Sequence, residues 1–439
     1  MKLLKRINLK RVLIISYYWP PSAGSGVQRW LKFSKYLPEN GWQPVIYTPE
    51  NPSYQVHDDS LLKDIPSEVE VIKTSIWEPY GFYQKLRGGK ADKNLNNGIL
   101  DKKQGGILSK VSSWVRGNVF IPDPKIFWVN KSVSFLRTYL KENPVDVIIS
   151  TGPPHSMHLI ALGVKKHMNI PWIADFRDPW SKLDLLDDYN ISKSSRKKYE
   201  HLEKQVLTKS NVCLTVSNNW GKMFSELGAS RVEVITNGYD AEDVKLESIT
   251  IDKFIVSHFG LLNHMRNPKD FWRALNDLCA ENNSFGARLE LHLGGTIDAR
   301  VLDELNQLEH LKPCLHVHPY ISHEDVLKWY SKSSLLLLLT FESEIGKGNI
   351  PGKLFEYLAM NKPVIAFGHE DGDVAEILEQ IEVGWNFEYQ AGNVGAIKKT
   401  ILESFNSTQN TNPNQNHEFE KFNRECLTKR LVNLLDNIS

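Results

Sequence analysis

The chain has 439 residues, of which 41% are hydrophobic and 24% are charged, and its formal net charge is +1. This length is too great for one compact core and predicts two or three domains, while the near-neutral charge argues against a nucleic-acid-binding protein. The four cysteines, at positions 213, 279, 314 and 426, lack metal-ligand spacing and indicate reduced thiols. With no apolar run near the ~20 residues of a membrane-spanning helix and no signal-peptide pattern, we expect a cytoplasmic protein.

Two basic stretches lie in the N-terminal part of the chain. Residues 1–11 contain five Lys or Arg, and residues 85–116 contain eight against two Asp. The end of the second stretch places five apolar residues on one helical face: Ile107, Leu108, Val111, Trp114 and Val115. Such a helix suits an anionic membrane surface. The alternative is an ordinary amphipathic helix packed on its own domain.

Short apolar runs alternate with helical patterns along most of the chain, which is typical of doubly wound parallel sheets. The first series is RVLIISYYW, PVIYT, VDVIIS, PWIAD, NVCLTVS and VEVIT, and the second is FIVSHFG, LELHLGG, LHVHPY, LLLLLT and PVIAF. The pause between the two series predicts an N-terminal domain over 1–245 and a C-terminal domain over 246–405. The Asn-rich residues 406–417 predict a flexible segment, and 418–439 have the spacing of a terminal helix.

A Gly-rich loop follows the first predicted strand. Gly24 and Gly26 precede a helix, and backbone N–H groups at such a helix start can bind a diphosphate or a sugar hydroxyl. Arg29 replaces the last glycine of a dinucleotide-binding fingerprint, so a dinucleotide site is disfavoured. The alternative is that the glycines only form a tight turn.

Polar side chains follow two later strands of the same domain. His155 comes after VDVIIS, and Arg177 and Asp178 come after PWIAD. His, Arg and Asp at the carboxyl ends of strands are suited to acid/base and phosphate chemistry, so we predict catalytic or acceptor contacts for all three. The alternatives are a structural ion pair between Arg177 and Asp178 and a helix-cap contact for His155.

The most informative segment is KGNIPGKLFEYLAMNKPVIAFG, residues 347–368. It follows the buried run LLLLLT and places Lys353 and Glu356 one turn apart at the start of a crossover helix, where open α/β sheets bind ligands. Leu354, Phe355 and Leu358 fall on another side of the helix. The alternative is a surface Lys–Glu pair on an ordinary helix.

Together with SNNWGKMFSELGASRVEVITNGYD, this segment resembles the family 4 retaining nucleotide-sugar glycosyltransferases of the GT-B superfamily, of the bacterial cell-surface polysaccharide type. The resemblance implies two Rossmann-like doubly wound domains facing a central cleft, with the acceptor bound by the N-terminal domain and the nucleotide sugar by the C-terminal one. It implies that Glu356 binds the ribose hydroxyls and that the terminal helix crosses back to the N-terminal domain. Asn237, Gly238 and Asp240 match the family's hinge turn, and we interpret them as linker residues.

Two departures from the family pattern concern the donor site. Gly260 is followed by Leu261 instead of Arg, although Arg266 stands at the position of a second cation. Gly348 stands where the family has a Glu that contacts the transferred sugar. Our hypothesis is that Lys353 supplies the missing cation, and that the loop from Gly346 to Gly352, including Asn349, offers backbone N–H groups in place of the carboxylate.

These observations and the resemblance predict metal-independent transfer of a sugar from a UDP- or GDP-linked donor to a glycan or lipid-linked oligosaccharide. The resemblance implies retention at the anomeric carbon. The pathway that the resemblance implies is bacterial capsule, exopolysaccharide or O-antigen synthesis. We expect no cofactor beyond the nucleotide sugar, no metal and no nucleic acid, with peripheral contact at the inner face of the cytoplasmic membrane through residues 1–11 and 85–116. Two alternatives remain, a non-catalytic sugar-nucleotide-binding or assembly protein and a nucleotide-sugar 2-epimerase on the same fold.

Overall fold

The computed structural model describes residues 9–54, 56–79, 107–183, 185–243, 252–319, 321–389, 392–407 and 418–439. The predictions for residues 1–8, 85–106 and 408–417 lie outside these ranges. The chain forms two compact units, Met1–Thr236 with Glu425–Ser439 and Asn237–Arg424, here called the first and the second unit. Each unit has its own parallel sheet.

The sheet of the first unit has seven parallel strands: β1 (Lys10–Ile15), β2 (Trp42–Pro49), β3 (Glu70–Thr74), β4 (Val147–Gly152), β5 (Trp172–Phe176), β6 (Val212–Thr215) and β7 (Val232–Val234). Their order across the sheet is β3-β2-β1-β4-β5-β6-β7. The central strands β4 and β5 are buried on both faces, as strands covered by helices on both sides must be. The sequence analysis does not predict the edge strand β3.

The helices of the first unit lie mostly between these strands: α1 (Ser25–Tyr36), α2 (Ile107–Asn118), α3 (Ile126–Glu142), α4 (Ser156–Lys165), α5 (Leu185–Asp188), α6 (Lys193–Lys209) and α7 (Asn218–Glu226). Side-chain caps start two of them. Ser192 accepts a hydrogen bond from the Ser195 N–H at α6, and Ser217 accepts one from the Trp220 N–H at α7. Each cap satisfies a backbone donor that the first turn leaves without a partner in the helix.

The sheet of the second unit has six parallel strands: β8 (Phe254–Leu262), β9 (Leu289–Ile297), β10 (Leu315–His318), β11 (Leu335–Leu339), β12 (Val364–Phe367) and β13 (Gly384–Phe387). Their order is β10-β9-β8-β11-β12-β13. The run LLLLLT forms β11, which is fully buried at the centre of the sheet. The edge strand β13 is half-buried, and the sequence analysis does not predict it.

The helices of the second unit are α8 (Lys269–Glu281), α9 (Asn283–Arg288), α10 (Ala299–Asn306), α11 (His323–Lys332), α12 (Gly352–Ala359), α13 (Asp373–Ile381) and α14 (Val394–Ser407). The predicted two-domain, doubly wound architecture is therefore confirmed. At the start of α12, Pro351 is extended and occupies the N-cap position.

The last helix, α15 (Arg424–Ile438), belongs to the first unit from Glu425 onward. Its apolar side chains Leu427, Leu431 and Leu435 are fully buried in one cluster with Val12 of β1. Residues 418–424 instead belong to the second unit, and the units divide at 236/237 where the sequence analysis places the boundary at 245/246. No helix within the described ranges is long and apolar enough to cross a membrane.

Each sheet has one point at which the strand order reverses direction. This point lies between β1 and β4 in the first unit and between β8 and β11 in the second. Open α/β sheets bind ligands beyond the carboxyl ends of the strands at such a switch point. The loops that leave these four strands carry most of the predicted site residues.

Candidate functional site

Helix α12 lies directly after the switch point of the second unit. Leu354, Phe355 and Leu358 are buried in the core, so the helix is anchored by its apolar side. Lys353 and Glu356 lie on another side and are both half-buried. The apolar contacts thus fix the direction in which the ammonium and the carboxylate project.

The Lys353 ammonium reaches the carboxyl end of β8. Its Nζ donates to the backbone oxygen of Phe259 at 3.0 Å, and a Cβ at Gly260 would overlap that ammonium. Burial lowers the pKa of Lys353 to about 8, with Glu356 opposing the shift and Arg266 adding to it. The glycine therefore leaves room for a cation whose positive charge is present at neutral pH.

The Glu356 carboxylate has a partner that sequence reasoning does not predict. Its Oε1 lies 3.5 Å from Nε2 of His323, the first residue of α11. Burial raises the pKa of Glu356, and His323 and Lys353 oppose that rise. Nothing in the sequence marks His323, because helix α11 meets α12 only through the tertiary fold.

Arg266 lies in the short 3₁₀ turn that follows β8. Its guanidinium stacks on the ring of Phe341 at 3.4 Å, and its backbone N–H donates to the side chain of Asn263. The Arg266 Nε atom is buried without a hydrogen-bond partner in the described part of the chain. Burial lowers the pKa of Arg266. Lys353 thus lies against Gly260 of β8, and Arg266 is close enough to help lower the pKa of Lys353. A phosphate site at these residues stays a prediction.

The loop that contains Gly348 and Asn349 uses some of its own N–H groups. Residues Glu344–Gly348 form a 3₁₀ turn in which the Gly346 N–H donates to Ser343 at 2.7 Å and the Asn349 N–H donates to Gly346 at 2.9 Å. The N–H groups of Gly346 and Asn349 are therefore engaged within the turn, so these two do not supply the N–H contacts that the sequence analysis expects of the loop from Gly346 to Gly352. Lys347 forms ion pairs with Glu344 and Asp371 at 2.8 and 2.9 Å.

The predicted residues of the first unit also meet at their switch point. Gly24 has a φ of 102°, which favours glycine, and a Cβ at Gly26 would lie 2.6 Å from Nη1 of Arg177. The Arg177 guanidinium also donates to the backbone oxygen of Pro153. The glycine loop therefore does more than turn the chain, because it admits the guanidinium beside the start of α1.

His155 and Asp178 lie in the same region. His155 is buried and its ring stacks on Trp180 with the centroids 4.9 Å apart. Its Nδ1 has no hydrogen-bond partner among the described residues, and its side chain does not cap α4, so the helix-cap alternative is wrong. Burial lowers the pKa of His155 well below its ordinary value, and burial raises the pKa of Asp178 to about 6.

The buried ion pair of this region involves Asp175 and not Asp178. The Asp175 carboxylate accepts hydrogen bonds from Arg29 at 3.1 Å, Trp30 at 2.8 Å and Thr151 at 2.8 Å, and it is fully buried. Arg29, the residue that breaks the dinucleotide fingerprint, is fully buried as well. Asp175 and Arg29 therefore fix α1 against the sheet, and Asp178 stays available for another role.

Two segments of the chain match known protein families. Residues 253–406 match the model described as glycosyl transferases group 1, and residues 104–243 match the model described as glycosyltransferase family 4. Both models describe glycosyltransferases. They include His155, Arg177 and Asp178 in the first unit, and Arg266, Lys353 and Glu356 in the second. A search of curated proteins found no match.

Solved structures share the fold across almost the whole chain. A glycosyltransferase from Rickettsia africae ESF-5 superposes with a TM-score of 0.62 at 13% identity, covering 98% of this chain and 99% of its own. The lipopolysaccharide outer core galactosyltransferase WaaB superposes with 0.57 at 13%, covering 98% and 99%. A UDP-N-acetylglucosamine 2-epimerase of Listeria monocytogenes, described as putative, superposes with 0.54 at 11%, covering 98% and 96%. The fold is thus GT-B, and at these identities the likeness speaks for the fold alone.

Proposed function

We propose that the chain transfers a sugar from a UDP- or GDP-linked donor to a glycan or lipid-linked oligosaccharide acceptor. The observation that carries the proposal is the placement of Lys353 and Glu356 on α12, at the switch point of a glycosyltransferase domain. Both side chains are half-buried, and Arg266 adds a second cation nearby. This combination suits a nucleoside diphosphate, which presents ribose hydroxyls to a carboxylate and phosphates to cations.

In the proposed reaction the nucleoside diphosphate leaves with its charge stabilised by Lys353 and Arg266. Cations and helix N-termini placed where negative charge develops lower the barrier without a metal ion. Glu356 holds the ribose. Retention at the anomeric carbon is inferred from the resemblance to family 4, and the anomeric coupling constant of the product, measured by NMR, decides it.

The acceptor is proposed to bind at the switch point of the first unit. Arg177 and Asp178 follow β5, and His155 precedes α4, so all three lie beyond the carboxyl ends of neighbouring strands. Because burial raises the pKa of Asp178 to about 6, its carboxyl group is suited to hydrogen bonding or proton exchange with a sugar hydroxyl near neutral pH. The unpartnered Nδ1 of His155 offers a further polar contact.

Contact with an anionic membrane is proposed for an exposed apolar surface of the first unit. Five apolar side chains of this surface are each about half exposed: Trp77, Val111, Trp114, Val119 and Phe127. The rings of Trp77 and Phe127 lie 5.0 Å apart, and Phe127 also contacts Phe120 at 5.8 Å. This surface adds Trp77, Val119, Phe120 and Phe127, which lie outside the predicted helix, to the proposed membrane-binding segment. Aromatic side chains are favoured at lipid interfaces.

Liposome sedimentation tests this surface. Replacing Trp114 and Phe127 by Ser is expected to lower binding to vesicles with anionic lipid, whereas replacing Val317, which is 50% exposed in the second unit, is not. Equal binding by both variants would count against the membrane proposal. A membrane location in turn fits a lipid-linked acceptor, as in bacterial surface polysaccharide synthesis, which remains the proposed pathway.

Incubation with a panel of nucleotide sugars tests the function itself. With lipid-linked or glycan acceptors, we expect one donor to release nucleoside diphosphate and to transfer its sugar in equal amount. A 2-epimerase, the activity named for one structural neighbour, would change the sugar without any acceptor. Nucleotide-sugar binding without any product would favour the binding-protein alternative.

A further inference from the structure

Four polar side chains share one face at the edge of the second sheet. Glu290 and His292 lie two residues apart in β9, and His316 and His318 lie two residues apart in the edge strand β10. The parallel register pairs His292 with His316. Because side chains alternate along a strand, residues two apart point to the same side, and paired residues share that side.

The side chains are close enough to act together. A carboxylate oxygen of Glu290 and one ring nitrogen each of His292 and His316 lie within 4.8 Å of one another. The His292 Nε2 atom is 3.2 Å from Glu290, and its Nδ1 atom is 2.8 Å from Nε2 of His318. Zn²⁺ binds such ligands at about 2.0–2.2 Å, so the three atoms need to converge by about 1 Å around an ion.

The surroundings hold the central histidine in place. The ring of Trp329, on α11, lies 4.3 Å from that of His292 and 4.9 Å from that of His318. His292 is buried, Glu290 is half-buried and His316 is exposed, so the cluster has one protected and one accessible side. An ion can therefore enter from solvent, while Trp329 and His318 orient the inner ligand, as second-shell partners of metal ligands do.

We propose that Glu290, His292 and His316 bind a divalent transition-metal ion, with Zn²⁺ as the best match. Two imidazoles and one carboxylate select Zn²⁺ or a similar ion over Mg²⁺ and Ca²⁺, which prefer oxygen ligands alone. The fourth position is left to water or, after rotation of its ring, to His318. The ion joins the edge strand β10 to β9 and takes no part in the proposed sugar transfer.

The cluster lies near the proposed donor residues of the same unit without including any of them. The ring centroids of His318 and Phe259 are 5.6 Å apart. The backbone oxygen of Phe259 accepts a hydrogen bond from the Lys353 ammonium. An ion that fixes β10 thus also supports the packing beneath Lys353. The inference rests on the four side chains alone and is independent of the proposed function.

Zinc binding by the untagged full chain tests the proposal. After treatment with a chelator, the protein is titrated with Zn²⁺ by calorimetry, and bound zinc is measured by mass spectrometry after dialysis. We expect one equivalent per chain, no binding of Mg²⁺, and a rise in the unfolding temperature with zinc. His316→Ala should weaken zinc binding at least tenfold, because one of three protein ligands is lost.

His310→Ala is the matched control, since His310 is also exposed in the second unit but lies outside the cluster. Because His316 is exposed as well, its replacement should leave folding intact, and the unfolding temperature without zinc checks this. No zinc bound by the unaltered chain would overturn the proposal. Equal zinc affinity of the His316→Ala and His310→Ala variants would overturn it too, because the binding would then not depend on the cluster.

Discussion

Replacing Lys353 by Ala is expected to weaken nucleoside diphosphate binding strongly. The ammonium is positioned by its bond to the Phe259 carbonyl, and Gly260 leaves the space that it occupies. The partly buried site strengthens its attraction to phosphate relative to an exposed lysine. Lys347→Ala is the matched control, because Lys347 already forms ion pairs with Glu344 and Asp371.

The expected size of the effect follows from the kind of contact that is lost. A hydrogen bond to a charged group contributes about 1.5–3 kcal/mol. Loss of this contribution raises the Kd for UDP or GDP roughly 10- to 150-fold. For Lys347→Ala we expect a change of less than about threefold, because its charge is already neutralised by two carboxylates.

The pH dependence of binding provides a second measurement of the same residue. The pKa of Lys353 is about 8, so its charge is present below that pH and is lost as the pH rises. Terminal phosphates lose their last proton near pH 6 and stay ionised over this range. Nucleotide affinity measured by calorimetry should therefore fall between pH 7.5 and about 9.5 in the unaltered chain, and fall less in Lys353→Ala. Equal, small effects of the two lysine variants, together with parallel pH profiles, would refute the role of Lys353.

Three further variants separate structural from functional residues of the first unit. Asp175→Asn should lower the free energy of unfolding by about 3–5 kcal/mol in urea, because it leaves the buried Arg29 charge uncompensated; a loss below about 1 kcal/mol would contradict this. In the unaltered chain we expect activity to decline below pH 6, because the Asp178 carboxyl group with a pKa of about 6 is then protonated. Asp178→Asn should lower kcat/KM and lack this decline. An unchanged pH profile would exclude Asp178 from the reaction. Gly26→Ala should raise KM for the acceptor, because its Cβ would displace the Arg177 guanidinium; an unaltered acceptor KM would count against that contact.

The central strands of both sheets were predictable because burial on both faces requires continuous apolar sequence. The run LLLLLT became β11, and RVLIISYYW contained β1. The edge strands β3 and β13 were not predicted, since an edge strand is only partly buried and needs fewer apolar residues. The alternating LELH and LHVH segments predicted strands, but only the pairing of β9 with β10 brings their histidines together.

Candidate site residues were predictable where charged side chains lie on the segment that follows a predicted strand. Arg177 directly follows β5 in the first unit, and Lys353 and Glu356 lie on the helix that follows β11 in the second. Within each unit, the switch point explains why such segments lie beyond the carboxyl ends of the strands. Contacts across the fold were not predictable. Asp175 pairs with Arg29, and Glu356 pairs with His323. The residues of each pair lie on different helices or strands, and their spacing in the sequence does not show that they meet.

The recognition of ribose by Glu356 provides the most direct test that α12 carries the donor site. Calorimetry compares the preferred nucleoside diphosphate with its 2′-deoxy analogue in the unaltered chain, in Glu356→Ala and in Glu379→Ala, an exposed glutamate on α13. We predict that loss of the hydroxyl weakens binding about tenfold or more in the unaltered chain and in Glu379→Ala, and hardly at all in Glu356→Ala. The same discrimination in all three proteins would contradict the assignment of the donor site to α12.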